Sequence, residues 1–284
     1  MALYTSGAEG ILRPEEVGAL VVQPVARESV AFQVATVVTT DSHEFRIPVI
    51  ESDASAFWTA EGADITPSDT GVDEINVAAK KLAALSIISN ELANDSSPAA
   101  QAVVGESIAR DLARKIDAAF FADTTANGPS GLRSLDDIQF IDTDTVPLTN
   151  VDAFSEAISK AENVGARVTS FVANATTVLA LSKLKKLTTG SNEPLLQPDP
   201  TQPTRRQILG VPVYSVPNTV MATGEIWALD SSRVFIVVRE GTSLVVDPSR
   251  YFESDRLGIR ATMRLGFGFP HQQAVVKIAA DPGT

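Results

Sequence analysis

Residues 42–98 constrain the fold most, because they predict a long two-stranded ribbon that cannot bury its own apolar side chains. An alternating run over 45–50 leads into a tip that contains Phe57 and Trp58, and a second extended run over 75–85 returns. The tip has more than twenty residues, which is long for a connection inside one domain. An isolated two-stranded ribbon is marginally stable in water. We therefore expect another copy of the chain to cover it.

The tip is also acidic. Between Glu51 and Glu74 the chain has seven carboxylates and no Lys or Arg. These acids predict docking on basic groups of a neighbouring copy; the alternative is a loop that is simply solvated. The tip residues predicted to make intersubunit contacts are Phe57, Trp58, Glu61 and Asp64. The basic residues predicted to receive the tip are Lys80, Lys81, Arg110, Arg114, Arg260 and Arg264.

Composition excludes several classes of function. The 284 residues allow one large domain or two moderate ones, and they include no cysteine, which excludes disulfides, thiol catalysis and thiolate metal sites. No apolar run approaches the roughly 20 residues of a membrane helix, and the first residues do not read as a secretory signal. We therefore expect folding in a cytoplasm. The net charge of −12 argues against a protein that binds nucleic acid tightly. It is compatible with a protein that encloses nucleic acid without binding it.

A long helix and a long strand are predicted to pack together. Ser96-Ser97-Pro98 is a helix start, and the apolar stripe of Val104, Ile108, Leu112, Ile116 and Phe120 repeats every four residues. The predicted helix spans 98–122, roughly 37 Å at about 1.5 Å per residue. Strict alternation over 257–267 predicts a strand of roughly 36 Å at about 3.3 Å per residue. Because the two lengths match, we expect the helix to lie along the sheet.

The middle of the chain reads as a compact α/β unit, and the end is rich in strands. Asn150 and Asn174 are predicted to cap two helices, and residues 190–206 are predicted to be a loop. The predicted short strands cover 168–172, 209–214, 226–229, 234–238, 244–246 and 274–279.

These parts, in this order, carry a resemblance. Its motifs are Phe57-Trp58-Thr59-Ala60-Glu61-Gly62, Lys80-Lys81-Leu82-Ala83-Ala84-Leu85, Ser89-Asn90-Glu91-Leu92, Phe120-Phe121, Asn127-Gly128-Pro129-Ser130-Gly131-Leu132, Leu209-Gly210-Val211-Pro212-Val213, Arg264-Leu265-Gly266-Phe267 and Ala274-Val275-Val276-Lys277. From about residue 8 onward the chain resembles the major capsid proteins of tailed bacteriophages, whose fold is named for phage Hong Kong 97.

The resemblance implies an α+β fold with defined parts. Residues 1–40 would be an N-terminal arm and 41–80 an extended loop. Residues 81–140 and 231–268 would form a peripheral domain around the long helix, which is called the spine helix in this family. Residues 141–230 and 269–284 would form an axial domain.

The resemblance also implies how such a chain works. Copies would assemble through hexamers and pentamers into an icosahedral shell that encloses double-stranded DNA, without cofactor, metal or membrane. Assembly would take place in the cytoplasm of a bacterial host, with a portal and, in some members, scaffolding or decoration proteins as partners.

Two departures from the family pattern bear on maturation. Some relatives join a lysine of the extended loop to a neighbour's asparagine, helped by a glutamate in the terminal sheet. Here no lysine lies between Arg46 and Lys80, and Thr262-Met263 occupies the stretch where that glutamate is expected. We therefore expect no covalent cross-links. The arm begins almost at Met1, so we expect no scaffolding region fused to this chain.

Two alternatives stay open at this point. An encapsulin-type compartment shares the fold and would hold protein cargo. A soluble hydrolase rests only on Asp69-Thr70-Gly71, which matches the aspartic-protease triplet but follows a polar loop and lacks the apolar strand that such a site needs. His43 and His271 lack the companions of a zinc site, so no enzyme is predicted.

Overall fold

The computed structural model describes residues 23–52, 56–59, 62, 64, 71–89, 91, 99–143, 148–186, 192–196, 206–247 and 249–280. Within them the helices are α1 (Gln23–Glu28), α2 (Val30–Val34), α3 (Ala99–Phe120), α4 (Asp152–Asn163) and α5 (Ala175–Ser182). The strands are β1 (Thr36–Thr39), β2 (Glu44–Ser52), β3 (Gly71–Ala78), β4 (Lys80–Ser89), β5 (Gln139–Asp142), β6 (Ser170–Asn174), β7 (Gln207–Ile208), β8 (Val211–Val216), β9 (Ile226–Leu229), β10 (Phe235–Asp247), β11 (Arg256–Gly268) and β12 (Val276–Ala279).

A four-stranded sheet packs on α3, as the matched lengths predicted. The sheet has the order β1-β10-β11-β4, with β1 parallel to β10 and the other pairs antiparallel. The predicted helix stripe is confirmed, since Ile108, Leu112, Ile116 and Phe120 are buried. They share one core with the inward side chains of β11, and the ring of Phe120 lies 5.1 Å from that of Phe267. Helix and strand therefore form the rigid frame of the chain.

The prediction of one returning strand over 75–85 is wrong. The chain forms β3, breaks at Ala79 and continues as β4, which leaves the ribbon and pairs with β11. The break is fixed by tertiary contacts, because Ala79 is buried and its N–H donates to the carbonyl of His43 at 3.1 Å. Lys80, predicted to end the extended loop, therefore begins a strand of the four-stranded sheet.

Other predicted boundaries also shift. The strands predicted at 234–238 and 244–246 are parts of β10, whose pairing with β11 is irregular between Val238 and Ser243. Such irregularities let one strand continue through a stretch that lacks alternation. The strand predicted at 168–172 lies at 170–174. The helix start at 96–98 and most of the predicted loop over 190–206 lie outside the described residues.

A six-stranded sheet forms a second layer, in the order β5-β12-β9-β6-β8-β7. One face packs on α4 and α5, while side chains from its other face, including Trp227 and Leu229, join the core around α3. The predicted cap of α5 is confirmed, since Asn174 Oδ1 accepts from the Thr177 N–H at 2.7 Å. The predicted cap at Asn150 is wrong by one residue: Val151 occupies that position in α4.

A partly buried ion pair joins the segment that follows α3 to the six-stranded sheet. Arg133 Nε donates to Glu225 Oε1 at 2.9 Å, and a second guanidinium nitrogen contacts the other carboxylate oxygen. Trp227 Nε1 also donates to Glu225 Oε1, at 3.1 Å, and Lys277 Nζ lies 3.9 Å from the same atom. The hydrogen bond with Glu225 raises the pKa of Arg133. The two layers are thus fastened by paired charge as well as by apolar contact.

A second buried carboxylate fastens α1 and α2 to α3. Asp117 accepts hydrogen bonds from Ser29 Oγ at 2.7 Å, from the Val30 N–H at 3.1 Å and from the Ala31 N–H at 3.0 Å. It thereby satisfies the first backbone donors of α2, a role that a capping side chain usually fills locally. Burial raises the pKa of Asp117, and these hydrogen bonds oppose that shift.

We expect Asp117→Ala to lower the free energy of unfolding by about 3 kcal/mol, because it strands three buried donors. Asp111→Ala removes a carboxylate from the exposed side of the same helix and should cost less than about 0.5 kcal/mol. Urea unfolding of the unassembled chain measures both values. Equal losses in the two variants would contradict the role assigned to Asp117.

Candidate assembly surfaces

The distal half of the ribbon leaves apolar side chains uncovered. Ile50 and Val72 lie opposite each other in the β2–β3 pairing, and both are exposed. Phe57 is 63% exposed and Trp58 is fully exposed, so neither ring belongs to the core of its own chain. Large apolar side chains left exposed in this way suggest a contact surface.

Of the two acidic tip residues predicted to make contacts, the structure describes one. Asp64 is exposed, whereas Glu61 lies outside the described residues. Closer to the base, Arg46 Nη1 lies 2.9 Å from Glu74 Oε1 across the ribbon. Because both of these side chains are more than half exposed, this pair helps to fix register but contributes little stability.

The base of the ribbon, by contrast, is covered by its own chain. Ile47 and Val77 are buried against Val237 of β10, and Phe45 and Phe235 pack around them. The expectation that the ribbon cannot bury itself is therefore wrong for the base, and the distal half is the part left bare.

The outer face of the four-stranded sheet, opposite α3, carries a mixed apolar and basic surface. Register places one row across it, in which Leu85 pairs with Arg260 and Arg260 pairs with Val245. Ile87 lies two residues from Leu85 on the same face, and all three apolar side chains are between 43% and 60% exposed. We call the following set the outer patch: Lys81, Leu85, Ile87, Val245, Arg256, Arg260 and Arg264.

The outer patch is positive on balance. Its four basic side chains stand beside two carboxylates on the same face, Glu240 and Asp247, which leaves a net charge of +2. Arg264 Nε lies 3.5 Å from Glu240 Oε2. Hydrogen bonds from Ser249, assisted by the charge of Arg260, lower the pKa of Asp247. The acidic tip has the opposite sign, with seven carboxylates and no basic residue between 51 and 74.

The predicted basic residues lie on three different surfaces. Lys81, Arg260 and Arg264 belong to the outer patch. Arg110 and Arg114 lie on the exposed side of α3. Lys80 points away from Lys81 and lines a groove beneath the ribbon base, next to Ile75 and Pro129. Of these three described surfaces, the outer patch is the one that combines basic groups with exposed apolar side chains that suit the tip.

The apolar residues of the outer patch were missed in the sequence. In β4 the inward side chains, such as Leu82 and Ile88, alternate with outward Leu85 and Ile87. A strand that is apolar on both faces gives no period-2 signal, so its outward face is hidden. Those outward apolar side chains could have been read as a contact surface once β11 supplied the register.

Within the described residues nothing resembles a catalytic or metal centre. No group of three or more His, Asp or Glu side chains there is placed to hold a metal ion. His43 is exposed, and the buried Nδ1 of His271 has no hydrogen-bond partner in that part of the chain. Asp69 and Thr70 of the protease-like triplet lie outside it. None of the described helices is long and apolar enough to cross a membrane.

Comparison with known proteins identifies the family. The model of the phage capsid family matches residues 9–280, almost the whole chain. A search of curated proteins gives no significant match. The chain therefore belongs to the phage capsid family, and the resemblance seen in the sequence is confirmed.

Solved structures show the same fold at low identity. A chain of the capsid of a native GTA particle is 20% identical, with a TM-score of 0.69, and the match covers 99% of this chain and 95% of that one. A chain from Microbacterium phage Oxtober96 is 17% identical, with a TM-score of 0.72 and coverage of 98% and 96%. A chain from Mycobacterium phage Adephagia is 16% identical, with a TM-score of 0.69 and coverage of 90% and 91%.

Family and fold together define a major capsid protein, a structural component of the phage virion that associates with itself to form a shell. The predicted α+β capsid fold, with extended ribbon and long spine helix, is confirmed. The predicted contact residues remain predictions.

Two neighbouring isoleucines test the assignment of the faces of β4. Ile88 is 8% exposed and faces α3, whereas Ile87 is 45% exposed and faces outward. We expect Ile88→Ser to lower the free energy of unfolding of the dissociated protein by about 3 kcal/mol, and Ile87→Ser by about 0.5 kcal/mol. Urea unfolding compares the two, and similar losses would show that the faces are wrongly assigned.

Proposed function

We propose that this chain assembles through hexamers and pentamers into an icosahedral head that encloses double-stranded DNA. The ribbon tip of each copy would dock on the outer patch of its neighbour. One observation carries this proposal: a single chain exposes both the aromatic, acidic tip and an apolar, basic surface that complements it.

Burial of the aromatic rings would drive the contact. A buried Trp covers about 150–250 Å², and at about 25 cal/mol per Å² Trp58 would contribute at most about 4–6 kcal/mol before the costs of association. One such contact is weak. Each chain in a closed shell makes several contacts at once, so modest contacts add up to a stable particle.

Charge would select the docking site. The tip is negative and the outer patch is positive on balance, so attraction at short range favours this pairing over tip against tip. Because the chain carries a net charge of −12, copies repel one another overall. The shell wall would also repel DNA phosphates, which leaves the packaged DNA mobile.

The two cores support the division into domains, which we also propose. The larger core combines α3 with the four-stranded sheet, and the smaller one packs α4 and α5 on the six-stranded sheet. The peripheral domain would be 81–140 with 231–268, and the axial domain 141–230 with 269–284. The predicted boundary at 140 falls inside β5, so the axial domain would begin at Gln139.

The remaining partners follow from the same proposal. The N-terminal arm predicted over 1–40 is too long, because residues 25–39 pack on the chain's own core and β1 belongs to the four-stranded sheet. The part before residue 23 would reach onto neighbouring copies, and a portal with scaffolding or decoration proteins would complete the head. We expect no covalent cross-links, because no lysine lies between Arg46 and Lys80. Assembly would take place in the cytoplasm of the bacterial host. We propose no catalytic role.

Charge reversal on two surfaces tests the docking site. We expect Lys81→Glu with Arg260→Glu to raise the protein concentration needed for assembly at least about tenfold, since about 1 kcal/mol lost per contact is multiplied over several contacts. The matched control is Arg110→Glu with Arg114→Glu, which changes the net charge equally on the exposed side of α3 and should assemble normally. Sedimentation and electron microscopy count the particles.

A compensating variant sharpens this test. Adding Glu61→Lys and Asp64→Lys to the Lys81→Glu, Arg260→Glu chain should restore part of the lost assembly, because the attraction returns with its signs exchanged. Normal shells from the Lys81→Glu, Arg260→Glu chain, or failure of only the α3 control, would rule out the outer patch as the docking site.

A further inference from the structure

The ribbon base rests on two glycines of β11. Gly266 and Gly268 lie on the outer face of the four-stranded sheet, directly beneath Ile47 and Val77. Neither glycine has a positive φ, so backbone conformation does not require glycine at either position. Space does. We call these two residues the glycine pad.

The two positions of the glycine pad both meet Val77, but their other close neighbours differ. A Cβ at Gly266 would lie 2.8 Å from the backbone oxygen of Ala78 and 2.7 Å from Val77 Cγ1. A Cβ at Gly268 would lie 2.6 Å from Ile47 Cδ1, which is the end of a flexible side chain. A side chain at 266 must therefore move the backbone of β3, whereas one at 268 can be accommodated in part by Ile47.

A small movement at the base becomes a large one at the tip. Relieving the contact with Ala78 to an ordinary 3.4 Å needs a shift of about 0.6 Å. Phe57 is ten residues beyond Ile47, up to about 33 Å of extended chain, so a shift of about 0.6 Å over a base of roughly 10 Å displaces the tip by up to about 2 Å. Packed contacts do not tolerate a displacement of that size.

We propose that the glycine pad sets the angle between ribbon and sheet, and that this angle fixes the curvature of the shell. The inference rests on the proposed docking of the tip on a neighbour. In that arrangement each ribbon relates one chain to the next, so the same tilt repeated at every contact changes the angle between neighbours throughout the particle. Because hexamers and pentamers place neighbours at somewhat different angles, a closed shell of one diameter requires that angle to keep to one fixed set of values.

The first test is Gly266→Ala, with Gly241→Ala as the matched control. Gly241 is an exposed glycine of β10 whose added Cβ would meet nothing within 4 Å, and its φ is not positive. We expect Gly266→Ala to give particles of altered diameter or open sheets, and Gly241→Ala to give the wild-type diameter. Electron microscopy measures this. Closed Gly266→Ala particles of wild-type diameter and yield would overturn the proposal.

A rescue keeps the test decisive if Gly266→Ala does not fold. Gly268→Ala should alter the diameter more mildly, and adding Ile47→Val should restore most of it, because valine lacks the Cδ1 atom that the new methyl would meet at 2.6 Å. The remaining contact, with Val77 Cγ2 at 3.0 Å, is less close. Gly268→Ala particles of wild-type diameter, or no recovery in the double variant, would contradict the role of the glycine pad. Failure of the wild-type chain to form particles would instead contradict the proposed function.

Discussion

A two-stranded ribbon has no third strand or helix to cover both of its faces, so an isolated chain leaves some of the ribbon's apolar side chains exposed to water. At the base of the ribbon this exposure is avoided, because Ile47 and Val77 are buried against the chain's own four-stranded sheet. The distal half reaches beyond the sheet, and Phe57 and Trp58 there are exposed. The free energy of covering those rings is available only when a second surface arrives. Shell formation, as proposed, uses that free energy.

The body of the chain is built to hold the ribbon and its receiving surface in a fixed relation. Helix α3 and strand β11 share one core, and β11 carries basic residues of the outer patch and the glycines beneath the ribbon base. Asp117 and Glu225, two buried carboxylates, add hydrogen bonds that fasten other parts of the chain to this frame. A rigid frame matters because contacts repeated around a shell multiply any error in orientation.

Long periodic elements were predictable from the sequence, and junctions were not. The stripe of α3 and the alternation of β11 follow from burial on one face, so each pattern is visible in the residues themselves. The break at Ala79 has no Gly or Pro to mark it and depends on contacts with distant strands. The outward apolar side chains of β4 are hidden for a related reason, since that strand is apolar on both faces.

Contacts between distant residues also left no signal in the sequence. Asp117 occurs in a helix where a carboxylate looks solvated, yet it caps α2, which lies almost ninety residues earlier. The aromatic tip was predictable, because two aromatic rings in an acidic loop have too few apolar neighbours to be buried. The sequence alone could not select one surface among the predicted basic residues. The register of β4, β10 and β11 does so, because it brings Leu85, Arg260 and Val245 into one row.

The solvent accessibility of Trp58 before and after assembly tests the central claim most directly. The chain has two tryptophans, and Trp227 is buried in the core, so quenching of the fluorescence by acrylamide reports mainly on Trp58. Dissociated subunits should show strong quenching. In closed particles the quenching should fall to the level of a Trp58→Phe variant. Equal quenching of Trp58 in free subunits and in particles would contradict burial of the tip on assembly.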